Sequence, residues 1–160
     1  MDAFYGAEQR ALQDEFNSRQ KADLAEAVVV KSVIDERART FIESRSFFFL
    51  ATVDGDGEPT VSHKGGRRGF VRVIDETTLV FPSYDGNGMY LSLGNIEGNP
   101  RIGMLFVDLD EPRRLRVHAT AELLRDPEWL REDPDADLVV RATVSRIFAN
   151  CGRYVGQGPG

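Results

Sequence analysis

Cysteine is almost missing from this chain: of its 160 residues only Cys151 carries a thiol. That excludes an internal disulfide and a metal cluster built from cysteines. Histidine is nearly as scarce, with His63 and His118 alone, too few for a histidine-rich metal site. No window approaches the roughly 18 consecutive apolar residues that a membrane helix needs. The start, Met1-Asp-Ala-Phe-Tyr-Gly-Ala-Glu8, lacks the basic residues and apolar centre of a secretion signal. A cytoplasmic protein without membrane contact is therefore expected. Excess positive charge is lacking too. The formal net charge is −6, whereas a general nucleic-acid surface is basic. There is no P-loop and no G-x-S-x-G elbow, and the G-x-G-x-x-G begun at Gly86 and Gly88 meets Leu91 where the third glycine belongs. Asp54-Gly-Asp-Gly57 resembles the opening of a calcium loop, but the twelfth position, which needs a glutamate, is Gly65.

What remains is the composition of one globular domain, 41% hydrophobic and 29% charged, spanning residues 1–160. Residues 1–45 read as helical. Leu12, Phe16, Leu24, Ala27 and Val28 form one apolar stripe. A second helix follows Ser32, read as its cap with Asp35 three residues on. From Phe47 the pattern turns to strands: Phe47–Val53, Pro59–Lys64, Phe70–Ile74, Leu79–Pro82, Arg101–Leu109, Leu115–Leu124 and Leu138–Phe148. Asp54-Gly-Asp-Gly57 makes the first two a hairpin. Many short strands with few helices between them predict an antiparallel sheet closed into a barrel over residues 46–150. The last residues, 151–160, read as a tail.

The segment Phe81-Pro-Ser-Tyr-Asp-Gly-Asn-Gly-Met-Tyr-Leu-Ser-Leu-Gly-Asn-Ile-Glu-Gly-Asn-Pro100 leaves a strand, becomes a glycine-rich loop and continues as a short helix. Ser62-His-Lys-Gly-Gly66 leaves another strand. Hydroxyls, a lysine, glycines and a helix start together form a cradle for a phosphate, since N–H groups at a helix start point at an anion. Lys64, Arg67, Arg68 and Arg72 supply local cations despite the acidic total. His63 is a candidate ligand contact, and His118 reads as a half-buried strand residue. Ser62, Ser83 and Ser92 have no evident base, and Cys151 reads as an incidental thiol. Reactivity would then come from a bound cofactor.

Phe48-Phe-Leu-Ala-Thr-Val53, Ser62-His-Lys-Gly-Gly66, Gly69-Phe-Val-Arg-Val73, Thr78-Leu-Val-Phe-Pro-Ser83, Asn95 to Phe106 and Arg114 to Ala121 resemble, in order and spacing, the pyridoxamine 5′-phosphate oxidase-like flavoproteins. Their fold is the flavin mononucleotide (FMN)-binding split barrel. The resemblance implies a mainly β, α+β fold with a six-stranded antiparallel split β-barrel. It implies a homodimer with flavin at the subunit interface and oxidoreductase activity on a small molecule, with NAD(P)H as a candidate electron donor. The implied cofactor contacts are Ser62, Lys64, Gly65, Arg72, Pro82, Ser83, Asn87, Leu93 and Asn95, with no metal and no assignable catalytic side chain. The flavin ring would lie against the Ser62–Gly66 backbone. The basic pattern R-x-x-x-x-K followed by R-K, and a C-terminal R-x-H, are missing here, which argues against vitamin B6 phosphate as substrate. Two alternatives stand beside FMN oxidoreduction: a reductase using the deazaflavin F420, whose longer anionic tail Arg67 and Arg68 would serve, and a non-catalytic flavin- or haem-binding protein.

Overall fold

A computed structural model describes residues 3–84 and 86–150. The readings of Cys151 as a thiol and of 151–160 as a tail lie outside the described residues. The chain divides into two compact units, residues 1–30 and 31–160.

In the first unit the expected single stripe is two helices, α1 (Ala7–Glu15) and α2 (Arg19–Val29). The break falls at Asn17, whose φ of 52° is left-handed, a conformation that asparagine tolerates better than most residues. Arg19 spans the break to Asp14 at 2.6 Å, and Arg10 joins α1 to Asp23 of α2 at 2.6 Å. The Tyr5 hydroxyl donates to the Ala22 carbonyl at 3.1 Å. Leu12, Phe16, Leu24 and Val28 are exposed in the chain.

The second unit begins with α3 (Glu36–Glu43), capped by Asp35 and not by Ser32. The Asp35 carboxylate accepts the Ala38 N–H at 2.9 Å and also binds Lys31. Those contacts hold its carboxyl below the usual range, the lysine contact first and the Ala38 N–H second. Ser32 stands three positions too early for this role, because Lys31 is engaged in a bridge with Ile147.

Seven strands follow: β1 (Phe47–Val53), β2 (Pro59–Gly65), β3 (Arg72–Asp75), β4 (Thr78–Ser83), β5 (Arg101–Asp108), β6 (Arg113–Leu124) and β7 (Leu138–Asn150). Between them lie α4 (Leu91–Gly98) and a short α5 (Pro127–Leu130). All strand pairs are antiparallel, in the order β2-β1-β5-β6-β7-β4-β3. The fold is thus mainly β with flanking helices, as the sequence predicts. The strands number seven, as the residue pattern reads and one more than the resemblance implies; β2 and β3 remain unpaired with each other, so the ladder is not closed as the barrel expectation had it.

The sheet nevertheless curls into a roll. In a flat sheet β1 and β4, four places apart, would lie roughly 19 Å from one another. The Phe48 and Phe81 rings are 4.9 Å apart and meet edge to face. The inward faces supply the core: Phe48, Leu50, Phe70, Leu79, Phe81, Met104, Phe106 and Val117 are fully buried or nearly so. Strand β3 starts later than predicted because Phe70 packs on the chain's own backbone. A Cβ on Gly66 would come within 2.7 Å of the Phe70 ring.

Candidate functional site

The curl brings β2 and the end of β4 to opposite walls of one cavity of about 490 Å³. The glycine loop 86–90 and the first turn of α4 complete it. A volume of that order suits a small organic ligand.

Alternation decides what β2 contributes. Thr60, Ser62 and Lys64 are half-buried, whereas Val61, His63 and Gly65 are exposed. Their cross-strand partners Thr52, Leu50 and Phe48 are buried, so one face of the strand turns inward at every second residue. Lys64 therefore stands between the core and the cavity. Burial pulls its ammonium below the ordinary lysine value, and among the described residues no carboxylate pairs with it. A desolvated cation without a counter-charge costs free energy in the empty protein, which an incoming anion returns.

Helix α4 faces the same space. Its N-cap, Tyr90, provides no side-chain cap, so the N–H groups of Leu91, Ser92 and Leu93 have no intrahelical acceptor. All three residues line the cavity. Two contacts fasten the helix to the sheet. Ser62 and Ser92 hydroxyls meet at 2.9 Å, and the buried Asn95 amide donates to Thr52 Oγ1 at 3.0 Å. Asn87 Oδ1 accepts the Met89 N–H at 3.0 Å. Gly88 needs its lack of side chain for a φ of +73°. Around the mouth stand exposed Val61, Tyr84, Met89, Tyr90 and Leu91.

Seven of the nine sequence-derived contacts are brought together here: Ser62, Lys64, Gly65, Pro82, Ser83, Asn87 and Leu93. Two are not. Arg72 pairs with Val80 between β3 and β4, away from the cavity lining. Asn95 is committed to Thr52 in the interior. Of the other arginines considered, Arg67 donates to the Glu132 carbonyl at 3.1 Å. Gly66 accommodates Phe70, so its missing side chain serves the fold and not a ligand ring. His63 lines the mouth from the outer face of β2, stacked on Phe47 at 5.3 Å. His118 packs edge-on against Phe148 on β6, and burial lowers its pKa, with Arg116 and Arg146 adding to the effect.

Thr60, Tyr84 and Tyr90 escaped the sequence reading, and Ser92 was weighed there only as a nucleophile. Period-two alternation from Ser62 points to Thr60; nothing local marks the two tyrosines. Among the described residues no histidine hydrogen-bonds the Ser62–Ser92 pair, and no carboxylate lines the cavity. The arrangement can hold an anion and a flat apolar body, but it carries no nucleophile with its base.

A profile for pyridoxamine 5′-phosphate oxidase matches residues 34–160. Among solved structures, a single-substitution variant of HupZ from Group A Streptococcus is 25% identical with a TM-score of 0.59, covering 73% of this chain and 99% of that one. A Lactobacillus delbrueckii protein provisionally assigned as a pyridoxamine 5′-phosphate oxidase shares 23% identity, with a TM-score of 0.56 and coverage of 74% and 99%. An FMN-binding protein from Syntrophomonas wolfei shares the fold at 14% identity and a TM-score of 0.54, covering 89% and 97%. No curated protein matches. The profile spans the entire rolled sheet and both walls of the cavity, and the chain belongs to the pyridoxamine 5′-phosphate oxidase family.

Proposed function

We propose that this chain binds FMN in the cavity between β2 and β4 and acts as a flavin-dependent oxidoreductase, working as a homodimer. The observation that carries this reading is Lys64: a half-buried ammonium with no carboxylate partner among the described residues, beside a helix start without a side-chain cap. The donor set fits a phosphate monoester. Lys64 supplies charge, the N–H groups of residues 91–93 supply directional donors, and Ser83 and Asn87 supply side-chain hydrogen bonds. The apolar rim of Val61, Met89 and Leu91 offers a flat ring somewhere to lie. The likeness in fold to an FMN-binding protein from Syntrophomonas wolfei supports this reading.

A bound flavin supplies hydride and electron transfer. The chain's own residues bind and orient it. Lys64 neutralises the phosphate, Ser62 and Ser92 fix the spacing of β2 and α4, and the mouth residues screen the ring from water. The Arg67–Arg68 pair that a longer F420 tail would use has one member tied to the Glu132 carbonyl, so FMN is the better fit. Lys64 is the only lysine or arginine among the described residues that line the cavity. A substrate bearing its own phosphate would compete for it, in line with a substrate other than vitamin B6 phosphate.

The test is an absorption spectrum of the purified protein with chromatography of whatever denaturation releases, followed by FMN titration of Lys64→Ala. FMN should be released or taken up, and the variant should bind roughly 10- to 100-fold more weakly, the worth of a charge-assisted contact. A wild-type protein that neither carries nor takes up flavin would overturn the reading. Unchanged affinity in Lys64→Ala would overturn the phosphate assignment.

A further inference from the structure

Two tyrosines bracket the glycine loop, and both are tied to one distant segment. Tyr84, at the exit of β4, donates its phenol hydrogen to Asp133 Oδ1 at 3.0 Å. Tyr90, at the entrance of α4, donates to Asp137 Oδ2 at 2.8 Å. Both aspartates lie in the connection between α5 and β7, more than 40 residues away in sequence.

That connection is itself anchored. The Asp137 N–H donates to the Ser83 carbonyl at 2.9 Å, and the Asp133 carbonyl accepts the Ala136 N–H at 3.0 Å. Asp133 is buried, and Arg67 stands 3.8 Å from its carboxylate while holding the Glu132 carbonyl. Among its described residues, 86–89, the loop between the tyrosines shows no such anchor to a distant segment. A Cβ at Gly86 or Gly88 would touch nothing within 4 Å. Tyr90 carries a φ of 50°, left-handed for a residue with a full side chain. A conformation of that kind persists only where its surroundings impose it, and the bond to Asp137 is such an imposition.

We infer that Asp133 and Asp137 are positioning residues which, through Tyr84 and Tyr90, hold residues 86–89 in the shape that receives the phosphate. The inference rests on the FMN reading above. Neither aspartate lines the cavity, so their effect passes through the phenols. A loop that samples other shapes binds with an affinity reduced by the fraction of time spent in the competent one. Each tether is a hydrogen bond to a carboxylate, of the stronger kind. Losing one should weaken FMN binding roughly tenfold. An acceptor oxygen is all that each tyrosine needs, so asparagine should serve where alanine does not. If the aspartates acted by charge, removing them would instead tighten the binding of an anion.

The experiment compares wild type, Tyr84→Phe, Tyr90→Phe, Asp133→Asn, Asp133→Ala, Asp137→Asn and Asp137→Ala. It reads FMN affinity by fluorescence quenching, and amide hydrogen exchange of residues 86–91 in the flavin-free protein. The two phenylalanine variants should bind about tenfold more weakly and exchange faster at the loop, with Tm close to wild type. The asparagine variants should stay near wild type on both readouts. Tyr84→Phe reaches the buried Asp133 contact from its exposed side, should Asp133→Ala fail to fold. Wild-type affinity in both phenylalanine variants would overturn the inference, as would asparagine variants as impaired as the alanine ones. If wild type binds no FMN, the cofactor reading falls, and unchanged loop exchange in the phenylalanine variants then overturns the tether as well.

Discussion

Lys64 illustrates how one side chain serves binding at the expense of the empty fold. Burial lowers its pKa, so the unfolded chain holds this proton more tightly than the folded one. The sign follows: the resulting destabilisation is absent above the unfolded value near ~10.4 and sets in as pH falls below it. At neutral pH the penalty is present. Lys64→Met, similar in length and uncharged, should therefore leave the Tm of the flavin-free protein unchanged or raise it. FMN affinity should fall in the same variant. Thermal melts with and without FMN check both halves; a lower Tm for the flavin-free variant would show that Lys64 has a structural partner after all. Lys64 was legible as a candidate in the sequence because the glycine-rich loop downstream turned a basic strand end into a cradle for an anion. Arg72 looked equivalent on paper. Its backbone lies opposite Val80 and outside the cavity lining, and register is not written in a four-residue strand.

At the scale of elements, α3 and α4 show what a short helix takes from its neighbours. The sequence reads Ser32 as the cap of α3, because an acidic residue, Asp35, follows it at the interval of a capping box. The helix is capped by Asp35 itself, since the bridge between Lys31 and Ile147 keeps the preceding chain extended. Ser32→Ala should then be nearly neutral, whereas Asp35→Ala should cost about 1 kcal/mol at pH 7. The folded Asp35 carboxyl sits below its ordinary value. Its contribution is thus complete above ~3.9 and lost as pH falls through the folded value. Denaturant melts at pH 7 and at low pH should show the gap between wild type and Asp35→Ala closing. Helix α4 is docked by the buried Asn95–Thr52 bond. Thr52→Val leaves that amide unsatisfied at nearly constant volume, so it should destabilise the fold by about 1–3 kcal/mol. FMN affinity should change far less than in Lys64→Ala, because neither partner lines the cavity. An equal loss of affinity in Thr52→Val would return Asn95 to the site from which the structure removes it.

For the whole molecule, strand existence was readable and strand order was not. Aromatic and β-branched runs punctuated by Asp-Gly and Asn-Pro mark each strand, yet β1 lies beside β5, and β7 between β6 and β4. Those neighbours are chosen by the inward rings, Phe48 against Phe81 and Phe106, which meet only after the sheet has curled. The same curl assembles both cavity walls, which is why the two site segments were recognisable singly while the tyrosine tethers from residues 133 and 137 were not. The outer face of β1 and β2 remains unburied within the chain. Phe47, Phe49 and His63 cluster there, and Phe49 and Val61 stay exposed at 37% and 69%. In the proposed homodimer a second copy would cover this face, since a two-fold pairing sets the same patch on itself. Phe49 does not line the cavity, which makes it the right probe. Phe49→Lys places two like charges across the two-fold axis and should convert a dimer of about twice 17.9 kDa into a monomer, read by sedimentation. If the proposed flavin site borrows from the partner, FMN affinity should fall with the dimer; if each chain suffices, it should not. Wild type sedimenting as a monomer at all concentrations would end the dimer proposal and leave the cavity to stand alone.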